Sequence, residues 1–121
     1  MSLLSVEQVK ANIKNIYDRR KAAIYALSLY YAGLAINYFR KQQSNGVYWT
    51  NQTSQAKDLM FTDAFQEGEI IGWFMAHGVE YGPYLELSND GQNQAIRTII
   101  QRFAGRFLKD VRELYLSLIH I

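Results

Sequence analysis

Residues 5–42 read SVEQVKANIKNIYDRRKAAIYALSLYYAGLAINYFRKQ, a stretch of about ten helical turns without a proline. Val6, Val9, Ile13, Ile16, Tyr17, Ile24, Leu27, Tyr31, Leu34, Tyr38 and Phe39 recur at intervals of three and four, the spacing that puts apolar side chains on one side of an α-helix. Lys10, Lys14, Asp18, Lys21 and Arg40 fall mostly elsewhere on the wheel. Ser5 and Gln8 stand three apart and form a capping box, each side chain satisfying a backbone N–H that the first turn leaves without a partner. Asn45-Gly46 supplies the stop. At 1.5 Å per residue this is a rod of roughly 57 Å, longer than the other ~80 residues can wrap as one compact domain. Part of its stripe is therefore expected to meet another subunit.

Downstream, residues 44–57 are rich in Asn, Ser, Thr and Gly and read as a loop. Tyr48 and Trp49 are too apolar for a free loop and are expected to fold back onto the core, with contact to another subunit as the alternative. Residues 58–65 and 69–77 are β-branched and aromatic and flank Gln66-Glu67-Gly68, which predicts a hairpin. Its first strand separates Leu59, Phe61, Asp63 and Phe65 from Met60, Thr62 and Ala64, and neither set is cleanly apolar. The second strand, around Ile70-Ile71-Gly72-Trp73-Phe74-Met75-Ala76, is apolar on both sides, as an inner strand covered on both faces would be. Gly72 marks a bulge or a close backbone approach. Pro83 suits the first turn of a short helix closed by Asn89-Asp90-Gly91, and residues 92–97 read as a brief extended segment. A last helix is predicted from Thr98, boxed with Gln101, with Ile99, Ile100, Phe103, Phe107, Leu108, Val111, Leu114 and Leu118 on its apolar side; Gly105 within it would permit close helix packing. The expected fold is α+β, one domain over residues 1–121, in which an N-terminal and a C-terminal helix pack on a small antiparallel sheet.

The chain has no cysteine, which excludes disulfides and thiolate metal sites and suits a reducing cytosol. No signal peptide is indicated, and Lys and Arg are expected to interrupt the long helix too often for a membrane span, so a soluble protein without a membrane partner is anticipated. The net charge of +2 hides a segregation. Residues 1–43 hold seven basic against two acidic side chains, residues 44–93 one against seven, and residues 94–121 five against two. Basic helices flanking an acidic middle either neutralise one another within the fold or steer identical subunits together.

Chemistry is sparse. His77 and Glu80 form a His-x-x-Glu with Glu86 nearby, but a dependable zinc site needs three or four ligands and the other histidine is His120. There is no phosphate loop, no nucleophile elbow and no thiol, and only Glu80 with Glu86 offers a carboxylate pair, so no enzyme and no cofactor is expected. Lys10, Lys14, Arg19, Arg20, Lys21, Arg40 and Lys41 make a DNA-binding accessory protein the alternative function, although these cations ring the helix and do not follow one phosphate-tracking row, so specific nucleic-acid binding is not the favoured reading.

Residues 76–87, Ala-His77-Gly78-Val-Glu-Tyr81-Gly82-Pro-Tyr84-Leu85-Glu86-Leu, resemble the minor tail-component family of tailed phages and prophages, head–tail joining or tail-completion proteins of the long, non-contractile-tail type. Tyr81, Gly82, Tyr84, Leu85, Glu86 and Gly91 carry the likeness, and Trp49, Thr53 and Ala56 match a second, upstream element. Gln52, Ser54, Gln55 and Lys57 depart from that element, where Arg, Gly, Asn and Arg are usual. The order of helix, loop, hairpin, Tyr-Gly turn and helix is also similar. The resemblance implies no catalysis. It implies a homo-oligomeric ring, six-fold by the family's habit, at the virion neck between connector and tail-tube proteins, made in the bacterial host cytoplasm. In that reading the helical stripe and the loop around Trp49 touch neighbouring subunits, while Tyr81 and Leu85 pack and Glu86 hydrogen-bonds to fix the turn into the last helix.

Overall fold

The computed structural model describes residues 5–49, 55–79, 81–82 and 94–119. Its elements are α1 (Val6–Ser44), a short α2 (Gln55–Asp58), strands β1 (Phe61–Glu67) and β2 (Ile70–Ala76), and α3 (Ala95–Ile119). The long helix starts where its sequence says: Ser5 is the N-cap, its hydroxyl accepts from the Gln8 amide at 3.1 Å, and the Gln8 side chain accepts from Ser5 N at 2.8 Å. It ends at Asn45, and Gly46 takes φ +67°, a conformation that costs glycine nothing.

The strands pair antiparallel, with Glu67 opposite Ile70 and Phe61 opposite Ala76. The hairpin is therefore tighter and later than its sequence suggests. The connection is Gly68-Glu69, with Gly68 at φ +62°, and Asp58 belongs to α2 instead of opening the strand. The shift leaves residue parity intact, so the face containing Phe61, Asp63 and Phe65 survives. Gly72 forms no bulge; it pairs with Phe65, whose ring lies 3.2 Å from where a Cβ would stand, so the aromatic covers the bare backbone.

One face of the hairpin packs on the helices. Ala64 and Met75 are buried, Trp73 packs edge-on against Phe107, and the Thr62 hydroxyl donates to the Ala32 carbonyl of α1 at 2.6 Å. The other face carries Phe61, Ile70 and Phe74 exposed, with Phe65 half-buried, so β2 is not the doubly covered strand that its composition suggested. The core joins the second half of α1 to the hairpin and to α3, around Tyr31, Ala35, Phe39, Met60, Met75, Ile99 and Phe103. Ser28, Ala32 and Ala35 of α1 are buried beside the larger residues of the stripe, small side chains that let the hairpin approach closely enough for Thr62 to bond the Ala32 carbonyl, and Ile36 and Gln43 are buried as well.

The last helix runs antiparallel to α1: Arg102 lies over Tyr38, Phe107 packs on Tyr31, and Tyr115 lies under Arg20. It begins at Ala95, three residues before Thr98, so residues 95–97 are helical and not extended. Thr98 is no cap. Its hydroxyl donates back to the Gln94 carbonyl at 2.6 Å, as threonine does inside a helical turn. Gly105 faces open space and Leu108 is exposed, so neither belongs to a helix interface.

Lys and Arg do not interrupt α1 as anticipated. No charged residue stands between Lys21 and Arg40, and by length and composition the helix is apolar enough to cross a membrane, at a mean hydropathy of 1.2 over its best window. Its second half supplies the core described above, and 28% of that window is buried within the fold.

Candidate functional site

Of the residues that the family resemblance singles out, Trp49, Ala56, His77, Gly78, Tyr81 and Gly82 are described, and Thr53, Tyr84, Leu85 and Glu86 lie outside the described residues, as do Glu80 and Gly91. The described ones form a structural knot. Trp49 and Ala56 are buried in the core, with the Trp49 ring 5.7 Å from that of Phe39 and 5.9 Å from that of His77. Trp49 is therefore a core residue.

The two glycines of the motif are required sterically. A Cβ at Gly78 would stand 2.2 Å from the Leu59 carbonyl oxygen, and one at Gly82 would stand 2.3 Å from Cβ and Cγ of His77. The Gly82 amide donates to the Val79 carbonyl at 3.1 Å, closing the turn. The His-Gly and Tyr-Gly pairs thus fold the chain back after β2 against the residues that precede β1. Tyr81 itself is 43% exposed, contrary to the packed role expected of it.

Gln43 holds the aromatic loop, and its sequence position gave no hint of this. Fully buried, it donates from Nε2 to the Trp49 carbonyl at 2.8 Å and accepts at Oε1 from the Tyr48 amide at 3.2 Å. The ring of Tyr48 stacks on Phe39 at 5.9 Å. A buried amide that serves both a donor and an acceptor substitutes for missing backbone pairing in a loop.

Two surfaces remain, and both are apolar. From Ser5 to Arg19 every residue of α1 is exposed. The last helix meets α1 at Arg20 through Tyr115 and runs four residues further, and Tyr17 reaches the hairpin turn at Glu69, so it is Val6–Asn15, nearly three turns and roughly 15 Å, that forms a projecting arm. Val6, Val9 and Ile13 line one side of this arm, with Ile13 62% exposed, and Ile16 and Tyr17 continue the stripe at its base. The second surface is the outer hairpin face, where Phe74 packs edge-on against Phe61 at 5.9 Å and tilted against Phe65 at 6.4 Å. Asp63 and Glu67 alternate with these rings on the same face.

Between the base of the arm, the hairpin turn and α3 lies an open groove of about 320 Å³, lined by Tyr17, Arg20, Lys21, Glu69, Ile71 and Tyr115 among others. Its charges are engaged within the chain. The Tyr17 hydroxyl donates to Glu69, the Arg20 guanidinium lies 3.7 Å over the Tyr115 ring, and Lys21 stands 3.9 Å from Asp18 and 4.4 Å over the Tyr17 ring. The hydrogen bond to Glu69, and secondarily burial, raise the Tyr17 phenol above its ordinary value. Deeper in the fold, the buried Tyr31 hydroxyl donates to Asp110; burial first and that bond second raise its pKa as well.

Among the described residues no three His, Asp or Glu side chains gather as a metal site. The arrangement can bind apolar surface at two places. Compared with protein families, with curated proteins and with solved structures, the chain matches none.

Proposed function

We propose that this chain is a structural assembly protein of a phage or prophage virion, whose copies close into a ring at the head–tail junction and complete or join the tail. In this reading it has no catalytic role, its partners are its own copies together with connector and tail-tube proteins, six copies make the ring, and it works in the virion neck after synthesis in the host cytoplasm. The observation that supports it most is the arm Val6–Asn15, nearly three turns of helix whose apolar side, Val6, Val9 and Ile13, the chain's own fold leaves exposed. A helix of this length is marginal in water on its own and draws its stability from burying its apolar face. A protein that works alone gains nothing by extending one into solvent; a ring subunit gains a contact. The resemblance of residues 76–87 adds the place of assembly.

DNA binding is the less favoured reading, because Arg20 and Lys21 are committed to Tyr115, Tyr17 and Asp18 and do not form an open row with Lys10 and Lys14. The test is reconstitution: tail tubes assembled without this chain are mixed with the purified protein and viewed by negative-stain electron microscopy. A ring at one end of the tube, with recovery of head joining, is the expected result. Tubes left bare, together with a salt-sensitive shift of random duplex DNA, would replace this reading by the other.

A further inference from the structure

We infer that the arm of one copy docks on the outer hairpin face of the next, so that the ring contact is head-to-tail between two different surfaces of the same chain. The inference rests on the reading that copies of this chain assemble, and adds which surfaces meet. Three observations carry it.

The first is fit. The aromatic patch from Phe61 to Phe65 runs about 13 Å at 3.3 Å per residue, and the arm Val6–Asn15 covers about 15 Å. The hairpin has only two strands, so its face is narrow, and one helix lying along it meets the whole aromatic patch of Phe61, Phe65, Ile70 and Phe74.

The second is charge. The hairpin Phe61–Ala76 carries Asp63, Glu67 and Glu69 and no Lys or Arg, and Asp63 and Glu67 stand on the outer face with no basic partner among the described residues. Lys10 and Lys14 lie one turn apart beside the arm's apolar stripe, also without an ion pair among the described residues. A stripe flanked by ammonium groups thus complements a patch interleaved with carboxylates, while arm on arm and hairpin on hairpin set like charges opposite one another.

The third is connectivity. The second half of α1 covers the inner face of the hairpin, where Thr62 bonds the Ala32 carbonyl. The same helix runs on past the hairpin turn, where Tyr17 donates to Glu69, and leaves Phe61, Ile70 and Phe74 of the outer face exposed, so the occupant comes from another molecule. An interface between two unlike patches is the heterologous kind that closes rings.

Because the chain has no cysteine, a pair of introduced thiols reports the geometry without background. Ile13→Cys and Phe74→Cys are prepared separately; both positions are solvent-exposed, and the circular dichroism of each variant checks that the fold is kept. Under mild oxidation at high concentration, the mixture of the two gives a covalent dimer at twice the 14.0 kDa chain mass, and neither variant alone does so. Dimer from Ile13→Cys alone or Phe74→Cys alone, without enrichment in the mixture, overturns the pairing of unlike surfaces and leaves assembly itself standing. Absence of dimer in all three samples, while light scattering of the unmodified chain shows oligomers, overturns the choice of surfaces. Light scattering that shows only monomer removes the assembly reading beneath it as well.

Discussion

At Gly78 and Gly82 the chain passes so close to Leu59 and His77 that a single methyl group has no room. At Gly78 the obstacle is a backbone carbonyl, which cannot rotate away, so Gly78→Ala is predicted to cost about 2–3 kcal/mol as an overpacking substitution with local backbone strain. Tyr81→Ala, at an exposed position in the same turn, is predicted to cost less than about 1 kcal/mol. Urea unfolding of the two variants measures both, and the reverse order would show that the turn is held by the tyrosine and not by the glycines. Gln43→Leu keeps the volume and removes two buried hydrogen bonds, with an expected loss of about 1–3 kcal/mol and a more exposed Trp49 by fluorescence. The motif glycines stood out in the sequence through the family resemblance of residues 76–87, but their reason, a close approach to residues 59 and 77, is a fact of tertiary structure. Gln43 was illegible for a related reason: a polar residue at the end of a helix normally points to water, and only the return of the Tyr48–Trp49 loop encloses it.

At the scale of elements, the caps and periodicity of α1 fixed its ends to within two residues, because an N-cap box and an Asn-Gly stop are local chemistry. The hairpin boundaries and the start of α3 were less legible. A short helix at Gln55–Asp58 takes Asp58 from the predicted strand, and threonine near a helix start reads equally as a cap or as a first-turn residue. The contact between α1 and α3 centres on Tyr31 and Asp110, and pH tests it. The folded chain holds the Tyr31 phenol protonated above its ordinary pKa of 10.0, whereas the unfolded chain gives up that proton from about pH 10 upward. Its contribution is therefore intact below that pH and is lost as pH rises through the folded value. The urea midpoint of the native chain is expected to hold steady to about pH 9 and then fall, and the fall should be smaller in Tyr31→Phe. The same variant is expected to lose about 1.5–3 kcal/mol at neutral pH, the range for a hydrogen bond to a charged group. Equal alkaline slopes in both proteins would mean that Tyr31 is not the group responsible.

For the molecule as a whole, the feature that governs function is the mismatch between a helix of 39 residues and a partner helix of 25 that begins at its far end and stops short of its beginning. That mismatch is readable in the sequence as the length of the first helix, and the bare stripe of the arm is its consequence. The hairpin's exposed aromatic face was not foreseen, since an apolar strand looks the same whether a neighbour within the chain or a neighbouring molecule covers it. Ile13→Asp alters only a solvent-exposed side chain, so its unfolding free energy is expected to stay within about 0.5 kcal/mol of the native value. Its assembly is expected to fail. Sedimentation equilibrium of the native chain and of Ile13→Asp across a wide concentration range is the most direct measurement. Assembly through the arm predicts a native mass that climbs in multiples of 14.0 kDa to a closed limit while the variant stays at 14.0 kDa; identical association of the two proteins, or a native chain fixed at 14.0 kDa throughout, would contradict it.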